Sequence, residues 1–213
     1  MKTEYTVLGK VEISATANIK SGSILGKKYR RFLDGTFEED MTTYIEDNVE
    51  IGHNCIIGNG SRVGINTVID DNSSIESNVV IGDNSLIIYS SQICSHSHIG
   101  NNCIIGGFIG ERTQIGNNCR IFGKIVHSQH NPLNPWDDDS AQENAPIIGN
   151  NVFMGFNSII TAPISVNNNV YICAGSIISI SVPEFHIAFG VNQLVHFSNW
   201  KGNLRNSNLF KND

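Results

Sequence analysis

The sequence is poor in leucine, in basic residues and in paired cysteines. Its 213 residues include 8 Leu against 31 Ile, 14 Lys and Arg against 20 Asp and Glu, and five Cys without a Cys-x-x-Cys pair. Sequence-independent binding to a phosphate backbone needs clustered cations, so the net charge of -6 argues against a nucleic-acid partner. The cysteine spacing argues against a zinc ribbon or a redox motif, and we expect reduced thiols and no bound metal.

Long apolar runs are also missing. No stretch approaches the ~20 apolar residues of a membrane-spanning helix, and the start at Met1 lacks the apolar run of a signal peptide. The length fits one globular domain of ordinary size. We therefore expect a soluble, cytoplasmic protein without a membrane span.

What the chain has in excess is isoleucine, with 27 Asn and 20 Gly. β-Branched side chains suit the pleated surface of a sheet, whereas Asn and Gly suit turns that need a positive φ. The composition therefore predicts a β-structure with very many turns.

Aliphatic residues recur at a fixed step of six, and we call each of them an anchor. From Ile45 to Ile105 all eleven positions at this step are Ile or Val. After a four-residue step the series continues from Ile109 to Ile121, and it returns from Ile148 to Ile178. A step of six favours very short strands between sharp bends, and three such strands would close a triangular coil. The repeat predicts a prism of about seven stacked coils.

The positions between anchors predict turns and a second inward side chain. The residue three places after an anchor is often asparagine, which predicts a turn there. These asparagines are Asn48, Asn54, Asn66, Asn72, Asn78, Asn84, Asn102, Asn118, Asn151, Asn157 and Asn169. One place further on, small or aliphatic residues such as Val49 and Cys103 are expected to point inward beside the anchor.

The repeated unit, as in Ile81-Gly82-Asp83-Asn84-Ser85-Leu86, resembles that of the hexapeptide-repeat acyltransferases. This resemblance implies an all-β fold, a left-handed parallel β-helix, with the handedness coming from the resemblance alone. We expect the β-helix domain to span residues 1–183 and a C-terminal extension, residues 184–213, to pack on it. Two insertions interrupt the repeat, at about 26–44 and 127–147.

The second insertion holds two of the seven His, three of the five Pro and one of the two Trp. It resembles the catalytic loop of the galactoside, maltose and related sugar O-acetyltransferases. The matching segments are His130-Asn131-Pro132, then Glu143, then Pro146-Ile147-Ile148-Gly149. Cys173-Ala174-Gly175-Ser176 is similar to a later motif of that family. The first insertion is charged, and we expect it to cover the lower coils.

This resemblance implies an acetyl-CoA-dependent acetyltransferase. Acyl transfer needs a base near neutral pH, and we expect His130 to be that base, with Glu143 orienting its imidazole. Backbone N–H groups near Met154 and Gly155 are expected to stabilise the oxyanion. The residues expected to hold coenzyme A are Gly155, Ala174, Gly175 and Lys201. Those expected to contact the acceptor are His127, Trp136 and Asp138.

The expected partners are two further copies of the chain in a homotrimer and an acceptor that is a sugar, a sugar nucleotide or a glycan. Two alternatives stay open. A zinc enzyme of the γ-carbonic-anhydrase type would need histidines in register across coils, yet no two His lie eighteen residues apart. A non-catalytic assembly protein would not need a His-bearing insertion.

Overall fold

The computed structural model describes residues 4–29, 39–127, 145–161 and 163–211. In these ranges the chain forms strands of two to four residues and no α-helix. The strands are β1 (Thr6–Val7), β2 (Val11–Ile13), β3 (Asn18–Ile19), β4 (Ile24–Lys27), β5 (Thr43–Ile45), β6 (Glu50–Ile51), β7 (Ile56–Gly58), β8 (Arg62–Val63), β9 (Val68–Ile69), β10 (Ser74–Ile75), β11 (Val80–Ile81), β12 (Leu86–Ile87), β13 (Gln92–Ile93), β14 (His98–Ile99), β15 (Ile104–Ile105), β16 (Phe108–Ile109), β17 (Gln114–Ile115), β18 (Arg120–Ile121), β19 (Lys124–Val126), β20 (Ile147–Ile148), β21 (Phe153–Met154), β22 (Ile159–Thr161), β23 (Ser165–Val166), β24 (Tyr171–Ile172), β25 (Ile177–Ile178), β26 (His186–Phe189) and β27 (Gln193–His196).

These strands form the three faces of a triangular prism. Face 1 runs β1-β4-β7-β10-β13-β16-β19-β22-β25, face 2 runs β2-β5-β8-β11-β14-β17-β20-β23, and face 3 runs β3-β6-β9-β12-β15-β18-β21-β24-β26-β27. All neighbours pair in parallel except β26 and β27, which pair antiparallel. The predicted fold class, a left-handed parallel β-helix, is confirmed.

The number of coils differs from the expected seven. Face 1 contains nine stacked strands and face 2 contains eight. The prediction was too low because neither insertion interrupts the stacking. β4 pairs directly with β7 across the first insertion, and β19 pairs with β22 across the second.

The anchors fill the interior of the prism. Every anchor from Ile45 to Ile105 is at most 2% exposed, and anchors of successive coils lie in register, as Ile75 does with Ile93. Full burial of an isoleucine side chain contributes roughly 1.5–3 kcal/mol, so these ladders supply most of the hydrophobic stabilisation. The second inward positions are buried as predicted, including Val49 and Cys103.

The predicted asparagine turns are confirmed. All eleven asparagines have φ values between 54° and 60°, a left-handed conformation that Asn tolerates better than other non-glycine residues. Several also bond to each other between coils. The Asn48 side-chain amide donates to Asn66 Oδ1 at 3.1 Å, and that of Asn66 donates to Asn84 Oδ1 at 3.1 Å.

Both insertions leave the prism at the same edge. The first connects β4 on face 1 to β5 on face 2, and the second connects β19 on face 1 to β20 on face 2. β4 and β19 are five coils apart, which corresponds to about 24 Å along the prism axis.

The end of the chain closes the top of the prism. Strand β26 adds to face 3 above β24, β27 folds back on it, and three 3-10 helices follow at Phe197–Asn199, Asn203–Asn206 and Asn208–Phe210. The rings of Phe197 and Phe210 stack with centroids 4.9 Å apart. None of the described helices is long and apolar enough to cross a membrane.

The asparagine turns predict a graded loss of stability. Replacement Asn66→Ala forces alanine into the left-handed region and removes two amide hydrogen bonds, so we expect the free energy of unfolding to fall by about 1–2 kcal/mol. Asn66→Gly keeps the backbone freedom and should cost less. Urea unfolding followed by circular dichroism measures both variants, and equal losses would contradict this account of the turn.

Candidate functional site

Four of the predicted site residues lie outside the described part of the chain. They are His130, Trp136, Asp138 and Glu143. The other predicted site residues, namely His127, Gly155, Ala174, Gly175 and Lys201, lie at two edges of the prism that the structure describes. We call the turn from face 1 to face 2 the loop edge and the turn from face 3 to face 1 the glycine edge. The loop edge comprises residues 58–61, 76–79, 94–97 and 110–113 and the ends of both insertions, and the glycine edge comprises residues 88–91, 106–107, 122–123, 155–158 and 173–176.

His127 lies on the loop edge at the base of the second insertion, directly after β19. Its side chain is half-buried, and Nδ1 of its imidazole is shielded from solvent. One coil below lies Gly110, where an added Cβ would come within 3.3 Å of the His127 backbone nitrogen. A residue with a side chain at 110 would therefore press on the start of the insertion.

Gly155, Ala174 and Gly175 come together on the glycine edge, in two successive coils. A Cβ added to Gly155 would lie 2.6 Å from the backbone nitrogen of Ala174, so only glycine allows this approach. Gly155 itself is buried and its N–H donates to the carbonyl of Ile172 at 2.9 Å. The stacking of coils therefore already uses this N–H, and the expectation of an oxyanion donor among the N–H groups near Met154 and Gly155 stays a prediction.

The exposed surface of this group belongs to Ala174 and Gly175. Gly175 has a φ of 70°, and a Cβ added to it would meet no atom within 4 Å. Its N–H donates to the carbonyl of Phe156 at 2.9 Å. The N–H of Ala174 forms no hydrogen bond within the described ranges.

Lys201 is exposed and follows Trp200 near the upper end of the same edge. The ring of Trp200 meets the ring of Phe189 edge-on, with centroids 5.3 Å apart. Phe189 lies one coil above Cys173, because Ala188, the residue before Phe189, pairs with Ile172, the residue before Cys173. The structure thus brings the segment that carries Lys201 to the edge that holds Ala174 and Gly175.

Sequence reasoning missed an aromatic cluster below Ala174. Phe122 stacks on Phe156 with centroids 4.7 Å apart, and Phe153 stacks on Tyr171 at 4.6 Å. Phe156 is 66% exposed. The sequence signal for this cluster was the four-residue step between anchors. This step leaves only two residues in the glycine edge of two successive coils. It exposes an apolar wall, which is formed by Phe122 and Phe156.

Polar residues also collect on the loop edge between the two insertions. The Glu76 carboxylate accepts hydrogen bonds from the backbone N–H of Ser95 at 3.0 Å and from its hydroxyl at 3.2 Å. Burial raises the pKa of the neighbouring Cys94 thiol to about 12, with further contributions from the negative charges of Glu76 and Glu111. Cys94 is thus held as a neutral thiol.

Cys55 and Cys173 give no sign of an activated nucleophile, and Cys103, whose pKa is lowered by a hydrogen bond with the Cys119 thiol, is buried inside the prism. Burial raises the pKa of Cys173 and of Cys55, and all five cysteines are free. Burial disfavours the thiolate, which is the reactive form. We therefore expect the chemistry of this surface from His127 or from the second insertion rather than from a thiol.

Within the described residues no three His, Cys, Asp or Glu side chains form a metal-binding group. The register of face 2 places Val80 and Gln114 beside His98 in the neighbouring coils. This part of the chain therefore lacks the stacked histidines that the zinc alternative needs.

Comparison with known proteins supports the repeat. The family model described as the hexapeptide repeat of succinyl-transferase matches residues 147–179. The bifunctional protein GlmU of Clostridium botulinum strain Kyoto is 27% identical over 88% of this chain and 49% of its own. GlmU of Acetivibrio thermocellus is 32% identical over 92% and 50%. The chain spans about half the length of these curated relatives.

Solved structures that match by fold include LpxA, a UDP-N-acetylglucosamine O-acyltransferase from Moraxella catarrhalis, with 17% identity, a TM-score of 0.45, and coverage of 88% of this chain and 72% of that one. The polysialic acid O-acetyltransferase OatWY matches with 15% identity, a TM-score of 0.44, and coverage of 97% and 98%. A maltose O-acetyltransferase from Clostridium difficile 630 matches with 22% identity, a TM-score of 0.31, and coverage of 69% and 64%. The resemblance to hexapeptide-repeat proteins is confirmed by the family model, over residues 147–179.

The environment of Cys94 predicts slow alkylation. A thiol with a pKa of about 12 is far less ionised at pH 8 than an ordinary thiol, so we expect iodoacetamide to modify Cys94 on the order of 10³-fold more slowly in the folded protein than in urea. The folded rate should rise about tenfold per pH unit toward pH 11. Peptide mass spectrometry measures the modification, and equal rates at pH 8 with and without urea would contradict the prediction.

Proposed function

We propose that this chain is an acetyltransferase that moves an acetyl group from acetyl-CoA to a hydroxyl or amine of a sugar, sugar nucleotide or glycan. The observation that carries the proposal is the open backbone at Ala174 and Gly175, next to an apolar wall and on a prism that also carries a histidine-bearing insertion. The insertion's resemblance to the sugar O-acetyltransferases supports the same reaction. Acetyl-CoA as donor would place the reaction in the cytoplasm.

In this proposal the donor lies along the glycine edge. The free N–H of Ala174 would donate to a carbonyl of the pantetheine arm, and the open space at Gly175 would leave room for the arm to pass. The aromatic wall formed by Phe122 and Phe156 would exclude water beside the thioester. Lys201 would meet a phosphate near the upper end of the edge.

His130 would act as the general base. It would take a proton from the acceptor while the acceptor oxygen or nitrogen attacks the thioester carbonyl, and the imidazolium would then protonate the leaving thiolate. Glu143 would orient the imidazole, and His127, Trp136 and Asp138 would contact the acceptor. Since the N–H of Gly155 is engaged within the prism and that of Ala174 is assigned to the pantetheine arm, the oxyanion needs a further donor.

Two edges carry the proposed site, and this division supports a trimer. The second insertion begins on the loop edge, whereas Ala174 and Gly175 lie on the glycine edge, with face 1 between them. A neighbouring copy can bring its insertion to the glycine edge of the first chain. We therefore propose a homotrimer in which each site combines two copies.

The base is tested by His130→Ala. We expect the rate of CoA release with an active acceptor to fall by about 10²- to 10⁴-fold, because the acceptor loses its proton-accepting group, while acetyl-CoA binding measured by calorimetry stays unchanged. His53→Ala, which removes an exposed histidine from the turn between β6 and β7, is the matched control. Full activity in His130→Ala, or no acetyl-CoA binding by the wild type, would refute the proposal.

The donor position is tested by Gly175→Asn. Asparagine adopts the left-handed φ that this position requires, so we expect an unchanged melting temperature but a KM for acetyl-CoA raised roughly tenfold or more, because the side chain fills the open space. Ser90→Asn places the same side chain at the equivalent turn of a lower coil and should leave this KM unchanged. An unchanged KM in Gly175→Asn would place the donor elsewhere.

A further inference from the structure

Most left-handed turn positions hold asparagine, and two of the positions that do not, His96 and Arg112, lie next to each other. Of the sixteen non-glycine described residues with positive φ, twelve are asparagine, and the others are Ser90, His96, Arg112 and Phe185. His96 has a φ of 60° and Arg112 a φ of 59°, in a region that non-glycine residues other than asparagine, aspartate and histidine rarely adopt. Strained backbone held by the surrounding structure is often associated with function.

His96 and Arg112 stack in successive coils of the loop edge. Each follows its anchor by three residues, and those anchors, Ile93 and Ile109, are in register. The N–H of His96 donates to Ser77 O at 3.1 Å, and the N–H of Arg112 donates to Ser95 O at 3.0 Å. The coil stacking therefore holds both turns, directly below the coil in which His127 begins the second insertion.

Both side chains keep hydrogen-bonding capacity. The imidazole of His96 forms no hydrogen bond or ion pair with any of the residues that the structure describes. The Arg112 guanidinium makes one long contact, with Nε 3.6 Å from Glu111 Oε1, and its side chain is one-third exposed. Four of its five N–H donors remain for a planar oxyanion.

The acidic groups nearby already have partners. The Glu76 carboxylate accepts from the N–H and hydroxyl of Ser95, and Glu111 faces Arg112. Cys94 is a neutral thiol. The Ser77 hydroxyl is also without a partner among the described residues, but it is fully buried, so His96 and Arg112 are the side chains here that can offer unused donors to a ligand.

We propose that His96 and Arg112 bind an oxyanion of the acceptor, either a phosphate or a carboxylate, below the second insertion. The inference rests on the proposed acetyltransferase function and selects among its acceptors, since it favours an acidic sugar or a sugar nucleotide over a neutral sugar. Guanidinium groups recognise both oxyanions through paired N–H donors.

The test uses asparagine, the residue that the other coils use at this position. Arg112→Asn and His96→Asn remove the side-chain chemistry while relieving the backbone, so both variants should fold and melt at a higher temperature than the wild type. We expect the KM for the anionic acceptor to rise at least tenfold and the KM for acetyl-CoA to stay unchanged. Ser90→Asn, on the glycine edge, should raise the melting temperature without changing either KM.

The acceptor panel separates the two sources of the oxyanion. Nucleoside-diphosphate sugars supply phosphate, uronic acids supply carboxylate, and neutral sugars supply neither. Binding of pyrophosphate and of glucuronate, measured by calorimetry on the wild type and on Arg112→Asn, reports the site without any catalysis. We expect one of these probes to bind the wild type and to lose at least tenfold in affinity in the variant.

Several results would overturn the inference. They are preferred acetylation of neutral sugars, an unchanged acceptor KM in Arg112→Asn, or equal binding of both probes by wild type and variant. Failure of the wild type to bind acetyl-CoA would instead refute the proposed function, and the anion-binding measurement would still report on His96 and Arg112.

Discussion

The structure depends on stacking successive coils in register. Each coil is too small to bury its inner face alone, so its anchor lies on the anchor of the coil below and its backbone bonds to the coil above. This requirement fixes a sharp bend after every two-residue strand. Asparagine meets it because it tolerates a positive φ and can bond to the asparagine of the next coil.

The same constraint determines where chemistry can occur. A coil that must stack cannot vary inward, but it can carry an insertion at an edge, lose two residues from an edge, or exchange asparagine for another side chain. The loop edge carries both insertions together with His96 and Arg112. The glycine edge carries the shortened turns, the aromatic wall and the open backbone at Ala174 and Gly175. Departures from the regular coil therefore coincide with the residues proposed to bind donor and acceptor.

Much of the fold follows from the sequence, because aliphatic residues at a fixed step of six directly predict short strands that stack in successive coils. The anchors, the inward small residues and the eleven asparagine turns could all be predicted. The number of coils could not, since a sequence does not reveal that stacking continues across an insertion. The burial of Gly155 could not be predicted either, because its N–H donates to a carbonyl of the next coil, seventeen residues along the chain. The left-handed turn at His96 could have been predicted, because His96 lies three residues after an anchor, as the asparagines do.

The central claim is that one site combines the second insertion of one copy with the glycine edge of another. Mixing the His130→Ala and Gly175→Asn variants under conditions that exchange subunits, at acetyl-CoA concentrations far below the raised KM of Gly175→Asn, tests it most directly. A site between copies predicts recovery of activity to about a quarter of the wild-type rate, because half of the insertions and half of the edges are intact. A site within one chain predicts no recovery. If subunit exchange is verified and the activity of the mixture stays at the level of the separate variants, the result contradicts a site between copies.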